Sequence, residues 1–300
     1  MPQNSQSASE KRLAFRQSLA SGKLLRLPGA FSPLVGMLIQ RIGFDGVYIS
    51  GAALSADLGL PDIGLTTLTE VVSRAQAVAR MIDLPVIVDA DTGFGEPANV
   101  ARTIQAMMDA GLSGCHLEDQ QFPKRCGHLD NKTLVPASDM VKKIAAAANA
   151  KTDQQFLIIA RTDARAVESL PAAIDRAKQY IDAGAEMIYP EALADETEFE
   201  AFREAIDVPL MANMTEFGKS QLLTADQLTN LGYNMVIYPV TALRLAMKAV
   251  ENGLKTIDQQ GTQESEVKNM QTRQELYDLC LLYTSPSPRD LSTPRMPSSA

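Results

Sequence analysis

Lys124-Arg125-Cys126-Gly127-His128 sets a single thiol between two cations and an imidazole, beside a glycine free to adopt unusual backbone angles. Neighbouring cations lower a thiol pKa, and the same cations hold anions, so the stretch reads as reactive cysteine or anion site. A solvated basic loop with an incidental cysteine has the same composition. Two acidic clusters upstream argue against it. Asp89-Ala90-Asp91 closes the apolar run Pro85-Val86-Ile87-Val88, and Glu118-Asp119 closes Gly114-Cys115-His116-Leu117. Short runs of this kind, the first of them β-branched, that end in carboxylates read as buried strands reaching a polar surface. On a strand, i and i+2 share a face, so Asp89 and Asp91 point into one space and repel unless a cation lies between them. A site of few carboxylates that keeps several waters suits Mg²⁺, with Mn²⁺ the other candidate.

These groups need elements to carry them, and the chain supplies them by repetition. Gly43 to Ser50, Gly111 to Glu118, Gly184 to Glu191 and Gly232 to Pro239 share one frame, a glycine placed as a helix C-cap followed by a short apolar strand. A second frame appears at Asp83 to Asp89 and at Asp207 to Asn213. Phe156 to Arg161 gives a seventh strand, and Leu24 to Leu27, before Pro28-Gly29, the eighth and weakest. Capping boxes at Thr67/Glu70 and Thr224/Gln227 open helices, and helical periodicity runs over 97–110, 138–148 and 171–183. Eight strands alternating with helices predict an α/β fold, a (β/α)8 barrel over about Lys23 to Gly253. An open doubly wound sheet would carry a glycine-rich phosphate turn after its first strand, and Pro28-Gly29-Ala30-Phe31 is not one. Barrel active sites lie at the strand C-termini, and here those ends carry Ser50, Asp89, Asp91, Glu118, Arg161, Glu191 and Asn213. Lys124 to His128 then lies over the same rim.

Composition narrows the function classes. The 300 residues are 45% hydrophobic and 21% charged, enough for a large core. A net charge of −8 argues against nucleic acid as a partner. Three cysteines without regular spacing exclude a disulfide scaffold and fit a reducing, cytoplasmic setting. No apolar run reaches the ~20 residues that span a bilayer. Residues 1–10 are expected to be disordered, and the basic stretch from Lys11 to Arg26 to form a first amphipathic helix, although it also carries a trace of transit-peptide character.

Lys-Arg-Cys-Gly-His, Val-Asp-Ala-Asp-Thr-Gly-Phe-Gly, His-Leu-Glu-Asp-Gln, Ala-Arg-Thr-Asp-Ala and Gly-Leu-Pro-Asp together resemble the isocitrate lyase/phosphoenolpyruvate mutase superfamily, over about Lys11 to Leu279. Arg125 in the signature loop, and the absence of a large insertion, resemble its methylisocitrate lyase branch. Asn213 to Gly218 and Met270 to Arg273 match as well. The resemblance implies Mg²⁺-dependent cleavage of 2-methylisocitrate, a small tricarboxylate, to pyruvate and succinate in the methylcitrate cycle of propionate catabolism. It implies Asp89 and Asp91 as metal residues, Glu118 ordering metal-bound waters, and Arg161 as a bidentate fork for the pyruvate carboxylate. Ser50, Gly51 and Ala52 would hold the same fragment. Glu191, Asn213, Met214 and Thr215 would line the other wall, and Arg244 and Arg273 would hold the distal carboxylates. Cys126 and Gly127 would touch substrate, with Cys126 the general acid, tuned by Lys124, Arg125 and His128. A nucleophilic Cys126 is the competing role. Tyr48 is the candidate base, or else a core tyrosine. His116 and Cys115 read as core residues, and Asp62 as metal support or a turn cap.

The resemblance also implies a homotetramer whose C-terminal helices exchange between subunits. It ends near Leu279: Tyr283 to Ala300 holds four prolines and five serines in 18 residues, a composition foreign to a helix. Residues 11–279 are therefore expected to be the lyase domain, and 280–300 a disordered or non-native tail. Isocitrate lyase, dimethylmalate lyase, a phosphonate mutase or hydrolase, and a catalytically impaired carboxylate-binding barrel remain the alternatives.

Overall fold

The computed structural model describes residues 6–280. The chain divides into a barrel unit, Asn4–Met247, and a second unit containing Lys248–Ala300. The expectations for residues 1–5 and 281–300 lie outside the described residues.

Eight strands follow in order: β1 Leu25–Pro28, β2 Val47–Ile49, β3 Val86–Asp89, β4 Gly114–Glu118, β5 Leu157–Thr162, β6 Met187–Pro190, β7 Met211–Asn213 and β8 Met235–Tyr238. β2 to β6 pair in sequence order, β7 pairs with β8 and β8 with β1, all in parallel. Parallel bridges Gly29–Tyr48 and Ile188–Leu210 join the two sheets, so the strands run around a ring. This is the predicted (β/α)8 barrel. The four repeat glycines, Gly43, Gly111, Gly184 and Gly232, all take positive φ just before their strands. Both predicted capping boxes form, at Thr67/Glu70 and Thr224/Gln227.

Strand residues alternate between two cores, as the period of two requires. Leu27, Tyr48, Ile87, Ile159, Tyr189 and Ile237 fill the barrel interior. Val47, Val86, Val88, Ile158 and Ile188 pack outward under the helices.

Residues 8–10 are helical rather than disordered, contrary to expectation. A helix starts at Ala8, because Ser7 and Glu10 form a capping box. Its cations have a structural task. Lys11 donates to the Ala79 and Ile82 carbonyls, and Arg12 to those of Leu112 (2.7 Å) and Met108 (2.6 Å). Arg16 reaches the carbonyls of Gln155 and Phe156 at 3.0 Å. All lie before the N-terminal ends of strands, and Phe15 and Leu19 join the interior core. The helix therefore stops the end of the barrel opposite the polar rim.

The second unit holds the end of the helix Thr241–Gln260, a 3₁₀ turn Glu264–Asn269 and a helix Arg273–Leu279. Helix Thr241–Gln260 buries none of its residues. Leu245, Val250 and Leu254 are 68%, 51% and 62% exposed.

Candidate active site

The C-terminal rim of the barrel surrounds a cavity of about 80 Å³. Tyr48, Ser50, Ala52, Asp62 and Asp89 form one side, and Lys124 to His128 pass over it. Arg161, Tyr189, Glu191, Asn213, Thr215 and Arg244 complete the wall. Small-molecule sites usually start near ~300 Å³. Here the Cys126 loop occupies the space, and Gly127 shows how tightly. A β-carbon at Gly127 would overlap Glu191 and the Arg161 guanidinium.

Asp89 ends β3. Its Oδ1 accepts from the Asp91 amide (2.9 Å), and its Oδ2 from the Gly51 amide (3.2 Å). Asp91 stands at φ +46°, a strained conformation for a non-glycine residue, of the kind that clusters at functional sites. Burial and the Asp89 charge push its carboxyl up to about 6. Glu118 ends β4 and is 1% exposed, with no hydrogen bond to either carboxylate oxygen. Its nearest cation is Arg161 Nη1 at 3.4 Å. Burial holds its carboxyl well above the usual range, partly opposed by Arg161. Buried charges without partners are costly and ask for one. Among the described residues no group of three or more His, Cys, Asp and Glu is drawn together around a metal position. The donor set fits a hydrated hard cation on Asp89 and Asp91, with Glu118 reached through water.

Lys124 is 3% exposed and bridges Asp62 and Asp91, the latter at 2.7 Å. Burial alone would favour its neutral form, but Asp91, Glu118, Asp89 and Asp62 raise its proton affinity. Asp62 is thus a partner of Lys124 rather than a turn cap. Arg125 points to solvent, and its backbone is pinned at both N–H and C=O by the Gln120 amide (2.9 and 2.8 Å). These facts correct the reading of a cation-lowered thiol. Burial pushes the Cys126 thiol up, against a hydrogen bond from the His128 backbone. The sulfur keeps its proton, as a general acid must and a nucleophile must not. His128 Nδ1 accepts from the Lys219 amide (2.9 Å), so the proton of the neutral ring sits on Nε2, 3.3 Å from Glu191 Oε1. Burial lowers the His128 pKa, against the pull of Glu191.

Arg161 ends β5, with its guanidinium over the Tyr189 ring at 5.2 Å. Its bidentate edge is already taken: Nε and Nη2 bind Asp163 at 2.9 and 3.2 Å. The fork expected for substrate therefore serves Asp163. The Nη1–Nη2 edge faces Glu118 and Glu191 (3.6 Å). Asn213 Nδ2 holds Tyr189 Oη (2.8 Å) and Glu191 Oε2 (3.3 Å). Arg244 reaches the rim, bound to the Glu216 carbonyl at 2.6 Å and stacked on Phe217.

Other expectations shift. Gly51 N–H is used by Asp89, and Ser50 Oγ caps the Ala53 amide (3.3 Å), so only part of that stretch is free for substrate. Met214 packs in the outer core, where its sulfur accepts from the Leu223 amide. Arg273 opens a helix of the second unit and is exposed there. Tyr48 Oη lies 2.7 Å from His116 Nε2. Burial, then Asp89, raises its pKa far above the ordinary value, so the phenol keeps its proton and is poorly suited as a base. His116 is core, as read, but not inert. It touches Tyr48, Tyr189 and, at 3.6 Å, Asp89, while its Nδ1 has no hydrogen bond. Sequence reasoning missed Asp163, Tyr189 and Lys132. Asp163 stands two residues after Arg161 in a stretch already singled out, the one signal that could have found it.

The profile of the phosphoenolpyruvate phosphomutase family matches residues 15–258. A Corynebacterium glutamicum protein described as probable 2-methylisocitrate lyase 2 is 58% identical over 90% of this chain and 88% of its own. A 2-methylisocitrate lyase of Halalkalibacterium halodurans is 49% identical over 91% of each. Among solved structures, phosphonopyruvate hydrolase in complex with oxalate and Mg²⁺ superposes with a TM-score of 0.84 at 31% identity, covering 91% of this chain and 96% of that one. With the barrel and its rim of carboxylates and arginine, these matches show that the chain belongs to the phosphoenolpyruvate phosphomutase family.

Proposed function

We propose that this protein cleaves 2-methylisocitrate to pyruvate and succinate. One observation carries the chemistry: a half-buried, proton-bearing Cys126 meets Arg161 and the Asp89 carboxylate across one small cavity. The relatives' described activity selects the substrate.

In this reading a carboxylate of the rim takes the substrate hydroxyl proton, and the C–C bond breaks as that oxygen becomes the pyruvate carbonyl. The bonding electron pair stays on the succinate carbon, and Cys126 delivers its proton there. Asp89 and Asp91 would hold Mg²⁺, or Mn²⁺, with Glu118 to order its waters; when bound, the cation would polarise the oxygens that become those of pyruvate. The Nη1–Nη2 edge of Arg161, which faces Glu118 and Glu191, takes the carboxylate of the same fragment. Glu191, through Asn213 and His128, fixes the opposite wall. Arg244 receives a distal carboxylate at the rim, and Arg273 serves a second one if a neighbouring copy presents it. An oligomer fits helix Thr241–Gln260, whose apolar residues are unburied. No helix among the described residues is long and apolar enough to cross a membrane. The three cysteines are free, in keeping with the reducing cytoplasm.

The test is Mg²⁺-dependent pyruvate release from 2-methylisocitrate beside glyoxylate release from isocitrate. Preference for the methylated substrate supports the reading. Preference for isocitrate reassigns the substrate, and turnover of neither by folded protein sinks the lyase assignment.

A further inference from the structure

Lys132 lies in the loop after β4, six residues beyond Cys126, with its side chain 1% exposed. Its ammonium makes two contacts. It donates to the Gly127 carbonyl, adjacent to Cys126, and it pairs with Asp163 Oδ1 at 2.7 Å. Asp163 is fully buried and is the residue that binds Arg161 through two hydrogen bonds. Arg161 and Gly127 are themselves in close contact. The four residues close a loop of interactions between the acid-bearing segment and the arginine of the barrel rim.

A lysine is a costly choice for this place. An uncharged donor would serve the Gly127 carbonyl, and Arg161 already neutralises Asp163. Burying a second cation repays its desolvation only where geometry and hydrogen bonds are good. The ammonium does what neither partner can do alone: it ties the carbonyl beside Cys126 to the same carboxylate that aims Arg161.

We propose that Lys132 is a positioning residue for the reaction, a buried clamp that holds the Cys126 loop in register with Arg161 through Asp163. This rests on the lyase reading of the site. Lys132 touches neither substrate nor reacting atoms. It fixes where the Cys126 proton stands relative to the carboxylate that Arg161 binds. Losing it displaces the acid while leaving Arg161 held by Asp163.

The experiment is Lys132→Met in a Cys280→Ser background, which leaves Cys126 and the buried Cys115 as the thiols. Met preserves the apolar stem, and Asp163 keeps its Arg161 partner, so the fold is expected to survive. Two readouts are taken: kcat and KM for 2-methylisocitrate with saturating Mg²⁺, and the rate and pH profile of Cys126 alkylation by iodoacetamide. A misplacement of about 1 Å costs roughly a hundredfold in rate. The expected result is a fall in kcat of that order with KM changed far less, and faster alkylation with an unmoved pH midpoint, because access has changed and not acidity. Unchanged kcat and unchanged alkylation overturn the clamp, as does equal loss in kcat and KM with a collapsed melting transition. Should Lys132→Met not fold, Lys132→Gln keeps an N–H donor without the charge and is read by the same two measures. If the parent itself turns over no 2-methylisocitrate, the lyase reading has failed, while alkylation still decides whether Lys132 holds the loop.

Discussion

Adding one methyl group at Gly127 tests whether the closed loop is the working state of the site. The new β-carbon would overlap the Glu191 carboxylate and Arg161 Nη2. Neither can retreat. Glu191 is 1% exposed and held by Asn213, and Arg161 is held by Asp163 at 2.9 and 3.2 Å. Carbon contacts settle near 3.5–4.0 Å, so the loop must lift by roughly 1 Å or more. If it stays down, the overpacking costs about 1–3 kcal/mol of stability. If it lifts, the fold is spared but Cys126 leaves the reacting carbon, and a displacement of about 1 Å costs roughly 10²-fold in rate. That equals about 2.7 kcal/mol of barrel-held transition-state stabilisation at 1.36 kcal/mol per decade. The measurement is steady-state pyruvate release by Gly127→Ala, followed through NADH consumption by lactate dehydrogenase, with a thermal melt alongside. The expected outcome is a loss of about two decades in kcat and a melting point within a few degrees of the parent. A kcat within twofold of the parent, with the melt unmoved, would refute the reasoning, because the closed packing of Gly127 on Glu191 and Arg161 would then be irrelevant to turnover.

Cys126→Ser replaces the thiol with a far weaker acid of nearly the same size and should lower kcat by about 10²–10⁴-fold with KM nearly unchanged, read in the same pyruvate assay. The pH–rate profile should keep its basic limb above the ordinary thiol value of about 8.5. The acid form of Cys126 is the active one, burial raises its pKa, and activity is therefore present below that raised value and lost as pH climbs through it. His128 acts at the other end. Its pKa is lowered by burial, so the neutral ring persists below the ordinary His value of about 6.5, and kcat should hold until pH falls beneath that value. Chelation by EDTA should abolish pyruvate release, with recovery on adding Mg²⁺ or Mn²⁺; full activity in excess chelator would count against the metal reading of Asp89 and Asp91.

The barrel was legible because its signals are local. Gly43, Gly111, Gly184 and Gly232 stop helices by their own backbone freedom, and the strands that follow are short apolar runs whichever fold surrounds them. The rim was legible for a related reason. Asp89, Glu118, Arg161, Glu191 and Asn213 each interrupt such a run at its C-terminal end, and barrel geometry then gathers strand ends that lie far apart in the chain. What failed was the inference that the cations flanking Cys126 in sequence also flank its thiol in space. Lys124 stands two residues from Cys126, yet its charge is committed to Asp62 and Asp91. Arg125 adjoins the thiol but turns to solvent. The thiol therefore answers to burial, a tertiary property, and its acidity shifts in the direction opposite to the one its flanking cations suggest. The contact from Lys132 to Asp163 spans 31 positions, and no local rule announces it.

These buried charges explain an apparent contradiction. A site meant for an anionic substrate gathers Lys124, Lys132 and Arg161 but also Asp62, Asp89, Asp91, Glu118, Asp163 and Glu191, so acids outnumber bases. The carboxylates divide by task. Asp62 and Asp163 hold cations in fixed places, where preorganised charge acts more strongly than it would in water. Asp91 and Glu118 instead carry proton affinities driven upward, Glu118 with no hydrogen bond to either oxygen. A chain selected for stability alone would fill such positions with apolar or amide side chains, because buried charge repays its desolvation only with close, well-hydrogen-bonded partners, and among the described residues Glu118 has only Arg161 at 3.4 Å. Asp91 and Glu118 both stand next to Asp89 at the C-terminal rim of the barrel, where they match the donor set proposed above for a hydrated divalent cation.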